Sequence, residues 1–170
     1  MSEVARIGSQ LKRASEGGAW HGPALLELLA GVTAAQAAAR PVEGAHSIWE
    51  LAVHVEAWER VALRRLGGDR AQIYDTPEDW SKIDAGDEGA WREALNRLAA
   101  TNAELRAAVL KLEDAQLDEP ILAEMSSRYV TLHGVVQHTL YHAGQIALLK
   151  KALGLATNYE PPDTPDATAP

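Results

Sequence analysis

A chain of 170 residues, 46% hydrophobic and 24% charged, is long enough to bury a core unaided, and with no cysteine it can form neither a disulfide nor a thiolate metal site. Its formal charge of -8 repels phosphate backbones, and its densest basic group, Arg60, Arg64 and Arg65, reads as a solvated helix face, so no nucleic-acid partner is expected. The first residues lack the apolar run of a signal peptide and no segment has the apolar length of a membrane span, so the expectation is a cytoplasmic protein with no membrane partner.

Ala and Leu abound, Phe is absent and β-branched residues are sparse, which points to an all-α fold. Val4, Ile7, Leu11 and Ala14 share one helical face over 3–15, and Gly17-Gly18 interrupts it. Pro23 opens a second run carrying Leu25, Leu26, Leu28 and Leu29, ending near Gly31. Thr33 caps a short piece that Pro41 ends. Ser47 and Glu50 form a capping box ahead of a helix over 48–66, which Gly67-Gly68 stops.

Residues 69–87 read as a connection with one helical turn, capped by Thr76 with Pro77 in first position. Asp87 caps a helix over 88–112. After a connection broken at Pro120, Thr131 caps a last helix that reaches Leu153 before Gly154. The long helices and two longer connections suggest a four-helix bundle forming one domain over 1–158, followed by a Pro/Asp-rich tail over 159–170.

In a bundle, core positions recur every three or four residues. Three such lines are interrupted by polar groups: Leu51, His54, Trp58, Val61; Trp91, Leu95, Leu98, Asn102, Leu105, Val109, Leu112; and Val135, His138, His142, Gln145, Leu149. Burying such groups unpartnered costs about 1–3 kcal/mol each. One divalent metal ion would satisfy three imidazoles together. His138 and His142, four residues apart, stack on one face with Cβ atoms about 5–6 Å apart, and their rings can converge on an ion at about 2.0–2.1 Å. His54 must come from a facing helix. Its axial level matches directly in a parallel pair, and an antiparallel pair needs a different offset. The competing reading of an H-x-x-x-H pair is two half-exposed histidines on a helix flank.

His21, His46 and His133 have no partner at ligand spacing. Asn102 fits a register-setting core amide better than a substrate contact. Gln145 could orient a ligand histidine, against the plainer reading of a solvent-facing glutamine. Trp58, like Trp49 and Trp91, reads as core or rim. Glu56 and Glu59 point around the helix away from His54, and no general base stands out.

The segments HSIWELAVHVEAWERVALRRL (46–66) and LHGVVQHTLYHAGQIALLKKAL (132–153) resemble the DinB family of bacterial helical proteins, most specifically in Y-H-A-G-Q-I at 141–146. AWHGPALLELLAG (19–31) and the PVEGAHSIWE approach share the likeness, which spans most of 15–155. The resemblance implies a four-helix bundle of up-down-down-up connectivity, a metal triad carried here by His54, His138 and His142, and a homodimer. It also implies thiol chemistry, since characterised members include bacillithiol- or mycothiol-dependent S-transferases and a mycothiol-dependent maleylpyruvate isomerase.

Three neutral histidines leave a bound ion with its full charge and an open position, as in catalytic sites. The leading expectation is therefore a metal-dependent enzyme that activates a thiol or water to attack a small electrophile. Its partners would be a small-molecule substrate and a low-molecular-weight thiol. Zinc or nickel suits the ligands best, with iron, manganese or copper as alternatives. The rival readings are a metal-dependent hydrolase and a non-enzymatic metal-binding stress-response protein.

Overall fold

The Ser47 hydroxyl accepts from the Glu50 amide while the Glu50 carboxylate accepts from the Ser47 amide, and this reciprocal pair opens the helix α4 (Ile48–Leu66). In the computed structural model, which describes residues 1–83 and 87–157, the helices are α1 (Glu3–Ser15), α2 (Leu25–Leu29), α3 (Ala34–Ala38), α4, α5 (Glu88–Val109) and α6 (Arg128–Ala152). Side-chain caps also open four of the five helices other than α4, while at α2 the Glu27 carboxylate accepts from the Ala24 amide. A single 3-10 turn covers Asp114–Gln116. The fold is all-helical, with no strand among the described residues. The tail expected over 159–170 lies outside them.

Thr33 caps α3 and Asp87 caps α5, as their sequences predict. Ser2 caps α1, and the Asp114 carboxylate accepts from the Glu3 and Val4 amides at 2.9 Å each, placing negative charge at the α1 N-terminus.

Three boundaries differ from the sequence expectation. Helix α6 begins three residues before Thr131, because the Ser127 hydroxyl accepts from Val130 N and captures the cap role. Helix α5 ends at Val109 rather than Leu112. The segment around Thr76 is a hydrogen-bonded turn rather than a helix: Thr76 donates its hydroxyl to Ile73 O and its carbonyl accepts from Asp79 N.

The four long helices pack α4 on α5 and α6, and α1 on the same two. Two large apolar clusters result, beside a small one of Ala57, Val61, Ala71 and Ile73. One gathers Leu51, Val55, Trp49, Trp91, Leu98 and Ile146 beneath α2 and α3; the other gathers Ile7, Leu11, Ala62, Leu105, Val109 and Leu132. Trp91 Nε1 donates to Val32 O at 2.6 Å and the buried Lys150 Nζ to Leu28 O at 2.7 Å, fastening the loop after α2 to α5 and α2 itself to α6.

Between the clusters lies a buried polar layer. Asn102 Nδ2 donates to Glu59 Oε1 at 3.0 Å, Thr139 Oγ1 meets the same oxygen at 3.4 Å, and Thr101 Oγ1 donates to Glu56 Oε1 at 2.9 Å. Helices α4, α5 and α6 are thereby held in register. No helix among the described residues is long and apolar enough to cross a membrane.

Candidate metal centre

Helix α4 supplies His54, buried to 6% exposure, and α6 supplies the half-buried His138 and the buried His142. The i, i+4 spacing on α6 turns the last two rings to the same side. Nε2 of His138 lies 3.0 Å from Nε2 of His54 and 3.1 Å from Nε2 of His142. One ligand atom from each of the three falls within 4.8 Å of the others.

The opposite edges of two rings are engaged. His54 Nδ1 donates to Asp79 O at 2.7 Å and lies 3.1 Å from Asp79 Oδ1. His142 Nδ1 donates to Gln145 Oε1 at 2.8 Å. These acceptors fix the proton on Nδ1, so the Nε2 atoms of both neutral rings carry lone pairs aimed at His138 Nε2. One proton on His138 cannot serve both contacts with a full hydrogen bond. A cation removes the conflict. Bonds of 2.0–2.1 Å at tetrahedral angles place ligand nitrogens about 3.3 Å apart, close to the two separations found. The donor set therefore fits a divalent ion.

Burial keeps these rings neutral, the state a metal requires. It lowers the pKa of His54, against the opposing pull of Asp79. His138 is pushed down to about 3 by burial and then by its two neighbouring histidines. Burial also lowers His142, with the Gln145 bond acting the other way.

With this geometry in view, comparison with known proteins is informative. The DinB superfamily profile matches residues 19–146. The chain belongs to the DinB superfamily. A conserved protein from Enterococcus faecalis, known from its crystal structure, superposes with a TM-score of 0.72 at 19% identity, covering 91% of this chain and 99% of that one. That likeness carries the fold alone. No curated protein matches the chain.

Within this DinB-superfamily site, Gln145 meets His142, and Trp58 Nε1 donates to Asp79 Oδ1 at 2.8 Å. Asn102 is not brought to the three rings; its amide faces Glu59.

Sequence reasoning passed over two residues and missed the burial of a third. Asp79 and Trp80 sit in a connection with no hydrophobic periodicity to flag them. Trp80 stacks on His54 with ring centroids 3.8 Å apart, and on its other face His46 stacks at 3.6 Å. Asp79 holds both His54 and Trp58. Glu59, turned around α4 away from His54 as its sequence position predicts, is fully buried, and burial raises its pKa to about 7 against the hydrogen bonds from Asn102 and Thr139. In sequence, A-W-E-R gives no sign of that.

Proposed function

We propose that His54, His138 and His142 hold one divalent metal ion and that the protein is a metal-dependent enzyme acting on a small electrophile with a thiol or water. The observation that carries this reading is the convergence of three Nε2 atoms whose rings are tied back by Asp79 and Gln145. A divalent ion held there supplies Lewis-acid activation of the nucleophile. The chain's own residues do the rest. Asp79 and Gln145 orient two ligand rings and raise their basicity. Trp80 and Trp58 wall the site beside His54 and His138. Zinc or nickel suits an all-imidazole set best, and a low-molecular-weight thiol is the favoured cosubstrate.

The same reading takes the four long helices as an up-down-down-up bundle. Trp49 meets Trp91 and Glu59 meets Asn102, so numbers rise together along α4 and α5. Glu16 pairs with Arg106 while Gly8 lies against Leu110, so α1 opposes α5. His54 faces His142 while Glu59 reaches Thr139, so α4 opposes α6. A homodimer completes the proposal and is checked by light scattering.

Elemental analysis of untagged protein tests the metal: one equivalent is expected in the wild type and none in His54→Ala/His138→Ala/His142→Ala. Thiol-dependent label transfer by the loaded protein separates transferase from hydrolase. Absence of turnover with thiols and esters alike would leave only a metal-binding role.

A further inference from the structure

A cavity of about 220 Å³ opens between α4 and α6 beside the histidine cluster. On α4 its wall runs through Trp58, Ala62 and Arg65, and on α6 through Thr131, Gly134 and His138. Each set follows spacings of three and four residues, so each is one helical stripe. The Trp58 and His138 rings lie 6.2 Å apart at one end. Two turns further along α4, Arg65 stands at the other end. Seven residues at 1.5 Å each make the groove roughly 10 Å long. Val61 and Val135 give its middle an apolar lining.

Two features single out the far end and the floor. Of the three arginines on α4, Arg60 pairs with Glu56 and Arg64 with Asp69. Arg65 has no carboxylate partner among the described residues; its Nε donates to Ala71 O at 3.0 Å. A guanidinium whose terminal nitrogens are unpaired at the end of an apolar groove is a receptor for an anion. In the floor, Gly134 sits inside the long helix α6, where glycine costs roughly 0.5–1 kcal/mol relative to alanine. A Cβ built there meets nothing within 4 Å. The missing side chain widens the groove, and no atom of the described residues fills the space.

We propose that this groove binds an amphipathic monoanion, its carboxylate or equivalent acid group on Arg65, its apolar chain over Gly134, and its far end presented to the three-histidine centre. The orientation of the far end rests on the metal reading above; the roles of Arg65 and Gly134 do not.

Octanoate and 1-octanol share one chain length and differ in charge, so their binding is measured by calorimetry on metal-free and zinc-loaded protein. Octanoate is expected to bind more tightly than octanol. Arg65→Met should weaken octanoate about tenfold or more, the effect of losing a charge-assisted hydrogen bond, and leave octanol unchanged. Arg65→Lys should recover part of the loss. Gly134→Leu, shown folded by circular dichroism, should abolish both. With cobalt in the site, the methyl end of octanoate should broaden more than the protons next to its carboxylate.

Equal octanoate affinity in wild type and Arg65→Met, equal affinity for the two probes, no octanoate binding, or binding that survives Gly134→Leu would each overturn the proposal, as would stronger broadening at the carboxylate end. If no metal is taken up, the metal reading fails, while Arg65-dependent binding to metal-free protein still upholds the anion subsite.

Discussion

The indole of Trp80 lies flat on the imidazole of His54, with centroids 3.8 Å apart and planes 6° from parallel, and His46 covers the indole's other face at 3.6 Å and 7°. This three-ring stack clamps a proposed ligand from the side while Asp79 holds its Nδ1 edge. Trp80→Leu removes the clamp but leaves all three histidines. Metal affinity should fall about tenfold, the lower end for loss of a supporting group, and Trp80→Phe should restore most of it. Competition with a chromogenic chelator measures both. Unchanged affinity in Trp80→Leu would show that the stack is packing alone.

Asp79 acts through two groups. Its backbone carbonyl accepts from His54 at 2.7 Å and survives substitution, whereas its carboxylate accepts from Trp58 at 2.8 Å and approaches His54 at 3.1 Å. Asp79→Ala should therefore lower metal affinity about 10- to 100-fold, and Asp79→Asn less, because the amide oxygen still accepts from Trp58. Gln145→Leu should cost at least as much as Asp79→Ala, since His142 Nδ1 then loses its acceptor outright whereas His54 keeps the backbone carbonyl. An equal effect of Asp79→Asn and Asp79→Ala would assign the whole role to the carboxylate's charge.

Glu59 makes stability depend on pH with an unusual sign. Its pKa rises from 4.5 to about 7 on burial, with Glu56 adding to the rise. Between those values the folded state keeps a proton that the unfolded state has released, so stability falls as pH increases through that window. The loss reaches about 3 kcal/mol. Oε2 of Glu59 and Oδ1 of Asn102 are buried with no hydrogen-bond partner among the described residues. Glu59→Gln keeps an oxygen that can accept from Asn102 and replaces the ionisable group by a neutral amide. Glu59→Gln should match the wild type near pH 4 and exceed it above pH 7, measured by urea unfolding across the range. A constant difference at every pH would refute the buried acid.

What was legible in the sequence is what local chemistry writes there. Ser47, Thr33 and Asp87 mark their helix starts because each cap bonds within three residues of itself. His54, His138 and His142 stood out because each interrupts an apolar line. The start of α6 was misplaced because Ser127 and Thr131 offer the same hydroxyl, and only the fold decides which one is used. Asp79 and Trp80 reach the site across 21 or more residues from Trp58 and His54, by contacts that leave no spacing rule. The burial of Glu59 leaves no local sign because its partners, Asn102 and Thr139, lie 43 and 80 residues away.

Metal removal should expose the cost of the three-histidine cluster. Without an ion, burial depresses all three pKa values below the ordinary 6.5, His138 to about 3. Between those values the unfolded chain binds protons that the folded chain refuses, so the metal-free protein loses stability as pH falls from 6.5. This runs opposite to Glu59, and Glu59→Gln is the background in which to see it cleanly. At pH 7, zinc at a thousand times its dissociation constant adds about 4 kcal/mol, which for a chain of this size raises Tm by roughly 8–16 °C. The shift should vanish in the triple alanine variant and shrink as the buffer is acidified, because each proton on an Nε2 excludes the ion. Scanning calorimetry of metal-free and zinc-loaded protein between pH 5 and 8 reads both effects. A Tm that does not respond to zinc in the wild type would remove the metal from the centre.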